Sequence, residues 1–258
     1  MTRHRLSVFV FAALIGAFLL LPTLIIVPMS FNPGRNLQFP PEGLSLTWYR
    51  TLFETPMWRD AMATSAKVAF FTVIIATALG TAAALGLARW RSRATGALTA
   101  LLLSPMIVPV VILGVGTFLL FSKWRITGTM SGLVLAHVVL ALPFVIVSVM
   151  ASARTLDPTL ELAAAGLGAN RWKTFRRVVL PLILPGVVSG ALFAFITSWD
   201  EIVVAIFMTS PTLRTLPVVM WGQVRTNLDP SLAAAGTLLI LISTLALVAV
   251  QLLRRGAR

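Results

Sequence analysis

A chain of 258 residues that is 58% hydrophobic and only 11% charged has too few charges to cover a water-facing surface, since soluble domains carry about 25%. Lipid must therefore face much of the molecule, which excludes an ordinary soluble domain. The formal net charge of +13 marks the cytoplasmic loops of a membrane protein rather than a nucleic-acid partner, because the basic residues cluster beside apolar runs.

A helix needs about 20 apolar residues to cross the hydrocarbon core. Six segments meet that length: 6–29, 68–88, 97–121, 133–151, 182–208 and 232–253. The first is too long for a cleavable signal peptide and lacks a small-residue cleavage site, so it is read as a retained helix. The connection 30–64 holds Trp48, Tyr49, Phe53 and Trp58, residues suited to the membrane–water boundary, and predicts an interfacial helix. Pro105, Pro109 and Pro143 fall within spans and predict kinks, since each removes a backbone donor. His137 sits in an apolar run with only His4 as a second histidine, and the chain has no cysteine. A metal site needs several ligands at suitable spacing, so His137 is expected to be a hydrogen-bonded packing residue and no metal is expected.

Six spans put both termini on one side. With that side inside, the clusters Arg3/Arg5, Arg89/Arg91/Arg93, Arg154, Arg171 to Arg177 and Arg254/Arg255/Arg258 are cytoplasmic. The positive-inside rule favours this orientation.

The inner segment 154–180 has structure of its own. Asp157-Pro158 is a helix start: the Asp side chain accepts from free backbone N–H groups, and Pro at the first position loses no bond. Leu160 to Ala165 favours helix, with Glu161 near the positive end of its dipole, and Gly166 and Gly168 permit a sharp turn. Asn170 is placed to cap a second helix whose stripe is Trp172, Phe175 and Val179, ending where Pro181 opens the next span. The pattern alone fits a helix–turn–helix against the cytoplasmic face, or a surface helix anchored in headgroups.

The stretch Asp157-Pro-Thr-Leu-Glu-Leu-Ala-Ala-Ala-Gly-Leu-Gly-Ala169, followed by Val178-Val-Leu-Pro181, resembles the cytoplasmic signature of ABC importer permeases. That signature reads Glu-Ala-Ala, three residues, Gly, nine residues, an aliphatic, any residue, then Leu-Pro. Ala163, Ala164, Gly168, Val178, Leu180 and Pro181 fall at its spacing. Leu162 stands where the signature has Glu, and Glu161 lies one residue earlier. Phe193 to Glu201, Arg214 to Pro217, Leu228 to Ala234 and Gly43 to Arg50 are similar to the spermidine/putrescine branch of these permeases, although iron and other permeases share much of that pattern.

The resemblance implies an all-α polytopic membrane protein with the type I ABC importer permease fold, residues 1–258 forming one transmembrane domain. It implies that 154–180 is a coupling loop seated on a separate ATPase, with Glu161, Leu162, Ala163, Ala164, Gly168, Ala169 and Arg171 at that contact. It further implies a second permease of different sequence, a pair of ATP-binding subunits, an extracytoplasmic solute-binding protein and a prokaryotic inner membrane. The chain itself is expected to bind no cofactor, ATP and Mg residing on the ATPase. A P-loop requires Gly-Lys, and none of Lys67, Lys123 and Lys173 follows a glycine.

Asp200 and Glu201 are the acidic residues inside a predicted span. Ionisable groups there are costly and face a cavity or a partner. Helical spacing puts Glu201 on the face of Gly190 and Thr197, and Gly186-x-x-x-Gly190 permits close helix contact. The pair then either lines a path for a cationic solute such as a polyamine, with Trp199 as a cation–π face, or is a buried structural pair. A stand-alone carrier would explain the spans and the acids but not the inner signature. A membrane enzyme has little chemistry here to work with.

Overall fold

The computed structural model describes residues 3–90, 92, 94–226 and 228–256. Arg91, Arg93 and Arg258 of the inner basic clusters lie outside the described residues. The elements are α1 (Arg3–Met29), α2 (Thr47–Glu54), α3 (Pro56–Arg89), α4 (Ala94–Leu103), a 3₁₀ turn (Ser104–Met106), α5 (Val110–Lys123), α6 (Met130–Ala153), α7 (Pro158–Gly166), α8 (Arg171–Thr174), a π segment (Phe175–Val179), α9 (Leu180–Trp199), α10 (Val203–Met208), α11 (Leu216–Thr226) and α12 (Ser231–Gly256). There is no strand among the described residues; an isolated bridge joins Ser210 and Leu213.

Among the described residues five helices are long and apolar enough to cross a membrane, and a sixth candidate is a bent pair, Ala94–Met106 with Val110–Lys123. The pair turns by 102° at Pro105 and Pro109, where kinks within a single third span were expected. Each proline lacks the N–H that would carry the ladder forward. By contrast α6 runs unbroken through Pro143.

Two other boundaries differ from the sequence reading. The second span begins not at 68 but at Pro56 and runs 34 residues, about 51 Å at 1.5 Å per residue. Pro56 is suited to a first turn, and the helix carries through Arg59 and Lys67, which hydropathy had assigned to the outer connection. The fifth span begins earlier and ends sooner than 182–208. Asn170 does cap, its Oδ1 accepting from the Lys173 N–H at 2.9 Å, but α8 is no separate second helix. It continues through the π segment and past Pro181 to Trp199 as one apolar helix. The helix–turn–helix therefore reduces to one short helix, α7, and a turn.

The described residues within 1–60 and 219–242 form one compact unit, and those within 61–218 and 243–258 a second. In the first, α2 is the expected short helix between the first two spans. Trp48 Nε1 donates to the Asn32 carbonyl at 2.9 Å and to that of Gly34 at 3.2 Å, and Tyr49 Oη pairs with Ser30 Oγ at 2.7 Å. Trp58, assigned to the same interfacial helix, instead stands in α3 and is buried.

In the second unit α6 is the central element. Leu133, Ala136, His137, Ala141, Val145, Ile146 and Val149 are all buried along it. Small residues let neighbours approach. A Cβ on Gly190 of α9 would come within 3.0 Å of Val145 Cα, one on Gly186 within 2.7 Å of the Ser148 carbonyl and against Ser152 Oγ, and one on Gly80 of α3 within 2.7 Å of Val145 Cβ. The Gly186/Gly190 face thus packs on α6, as small-xxx-small spacing predicts.

Candidate functional site

Two places gather the residues singled out in the sequence: α7 with its flanks, and the turn after α9.

Asp157 caps α7, its Oδ1 accepting from the Thr159 N–H at 2.9 Å. Hydrogen bonding from the Thr159 backbone, then from its side chain, holds this exposed carboxyl below its ordinary range. Gly168 adopts φ +80°, a left-handed conformation costly for other residues, and turns the chain from α7 toward Asn170. No residue of α7 is buried. Leu162 is 72% exposed and Leu167 89% exposed, while Ala163, Gly168 and Arg171 are exposed and Ala164 and Ala169 partly so. Glu161 is turned inward: its Oε1 lies 2.8 Å from Arg89 Nη2 in the last turn of α3. Sequence spacing gave no sign of that pair, whose members are 72 residues apart.

At the other end of α9 the helix stops at Trp199, so helical spacing does not extend to Asp200 and Glu201. Asp200 is exposed at the cap position. Glu201 is buried, and its two oxygens accept from the N–H groups of Val204 at 2.7 Å and Ala205 at 2.8 Å. It therefore caps α10 by satisfying donors that a helix N-terminus leaves free. Trp199 is buried and stacks on Phe195 with ring centroids 5.7 Å apart. His137 reaches the same place from α6: Nδ1 is 2.9 Å from Ser198 Oγ, and Nε2 is 3.8 Å from Glu201 Oε2. The second distance is too long for a hydrogen bond. His137 is thus buried and hydrogen-bonded, as a packing residue would be. Among the described residues no group of three or more His, Asp or Glu is placed to hold a metal.

The model of the family described as "Binding-protein-dependent transport system inner membrane component" matches residues 76–258, a stretch containing both places. The chain belongs to this family. The permease is 34% identical over 246 residues to the spermidine/putrescine transport system permease protein PotC of Haemophilus influenzae, covering 95% of each chain. It is also 34% identical over 230 residues to the putrescine transport system permease protein PotI of Escherichia coli K12, covering 86% of this chain and 82% of that one. Its fold matches a chain of a bacterial ABC transporter that imports the acidic polysaccharide alginate, with TM-score 0.74 and 17% identity over 98% of this chain and 94% of that one. The permease therefore has the ABC importer transmembrane fold that its inner-loop signature implied.

Proposed function

We propose that this permease forms half of the solute path of an ATP-driven importer for polyamines, working with a second permease of different sequence, two ATP-hydrolysing subunits and an extracytoplasmic solute-binding protein. The observation that carries the substrate class is the likeness to PotC along 95% of both chains. The absence of a Gly-Lys pair supports ATP hydrolysis, with its Mg, on a separate subunit. The likeness to bacterial permeases supports a prokaryotic cytoplasmic membrane location, and basic clusters beside the span ends support both termini inside.

The exposed α7 supports the coupling assignment. Leu162 and Leu167 offer apolar surface to an ATPase groove, with Ala163, Ala164, Gly168, Ala169 and Arg171 around them, while Glu161 pairs with Arg89 within the chain. In the solute path, Asp200 is the exposed carboxylate that attracts a cation, while Glu201 and Trp199 shape the turn that presents it. The test is ATP hydrolysis by the reconstituted complex with its binding protein, across spermidine, putrescine, amino acids and ferric iron. Stimulation by a polyamine alone is the expected result. Stimulation by ferric iron or an amino acid instead would overturn the substrate class, and a permease that captures no ATPase would be a stand-alone carrier.

A further inference from the structure

α7 has nine residues and buries none of them. An isolated helix of that length is marginal in water, so its direction depends on what fastens it. One fastening is Asp157 at its start. One contact that ties it to a distant part of the chain is the 2.8 Å pair between Glu161 in its first turn and Arg89 in the last turn of α3. Each charge also suits its own helix: an acid near an N-terminus and a base near a C-terminus complement the two dipoles. The pair stands beside a cleft of about 300 Å³ lined by Arg89, Glu161, Ala165, Arg171 and Thr174 among others. Leu162, at the position where the family signature carries its acid, points outward and is 72% exposed.

We infer that Arg89 and Glu161 form an in-chain strut that fixes the angle of α7 against α3, so that a push received by α7 passes into that span. Glu161 is then a positioning residue, acting through Arg89 rather than on the ATPase, and the outward contact belongs to Leu162 and Leu167. The inference rests on the assignment of α7 as the coupling helix.

A charge-swap cycle tests it, with Arg89→Glu, Glu161→Arg and the double variant made in the full complex. Three quantities are measured: ATPase retained on purified permease, hydrolysis stimulated by spermidine-loaded binding protein, and amide hydrogen exchange over residues 159–167. Each single reversal is expected to retain the ATPase, to speed exchange in α7 and to lower stimulated hydrolysis about fivefold. The double variant is expected to return both readouts to within about twofold of wild type, as a direct pair requires. Loss in Glu161→Arg with no recovery in the double variant, or no change in exchange in any variant, overturns the strut while leaving the coupling assignment standing. A wild-type permease that retains no ATPase overturns both, and that control separates the two failures.

Discussion

At the scale of single residues, Glu201 shows how a charge within an apolar stretch is accommodated. Both of its oxygens are taken by amides of α10, so the group is stabilised by donors that would otherwise be buried and unsatisfied, at roughly 1–3 kcal/mol each. Glu201→Ala is expected to lower the thermal midpoint of the permease in detergent by several degrees, and Glu201→Gln, which keeps one acceptor oxygen, by less. Equal melting of Ala and wild type would show that the cap contributes nothing. Asp200→Asn is expected to leave melting unchanged and to weaken polyamine uptake, a split that separates solute attraction from folding. The sequence made the cost of these acids plain but not their division of labour. Helical periodicity was extended through 200 and 201, whereas the helix ends at Trp199. The signal available was an acid directly before the apolar run of Ile202 to Phe207, the position of a helix start.

Among elements, close approach to α6 sets the packing. A side chain on Gly186 meets the Ser148 carbonyl, which cannot move without opening α6. Gly186→Val is therefore expected to cost about 3 kcal/mol or more and to abolish recovery of folded permease by size exclusion. Gly86, on α3 with nothing within 4 Å of its would-be Cβ, is the control: Gly86→Ala is expected to fold normally, helped by better helix propensity. Spans 6–29, 133–151 and 232–253 were legible to within a few residues because uninterrupted hydropathy and helix coincide there. The 102° break in the third span was foreshadowed by Pro105 and Pro109, but a proline marks where a ladder fails, not how far the chain then turns. α11 was missed, since Leu216–Thr226 is short and only partly apolar.

For the whole molecule, apolar side chains left bare outside the spans are informative, because water does not favour them. Leu162 and Leu167 are such residues. Leu162→Asp with Leu167→Asp is expected to reduce the ATPase retained on purified permease about tenfold or more, by desolvating charge in a partner groove. Full retention would move the docking surface elsewhere. Capping and helix preference placed a helix from Asp157-Pro158 to Ala165, against the observed Pro158–Gly166, without saying what it meets; a partner for it is proposed from the resemblance alone. The Arg89–Glu161 pair was invisible to both, because it depends on where the end of α3 comes to rest in three dimensions.

The π segment Phe175–Val179 has a consequence for phase. A π turn amounts to one extra residue inserted in a helix, and one residue is about 100° of rotation. Arg171 and Trp172 are thereby set a quarter-turn or so away from where an unbroken helix would place them relative to Gly186 and Gly190. Pro181 stands two residues beyond the segment, and having no N–H it makes no demand on the disturbed ladder. Removing one residue within the segment would heal the spiral, keep the glycine face on α6, and swing the N-terminal end of the rod to a new compass bearing.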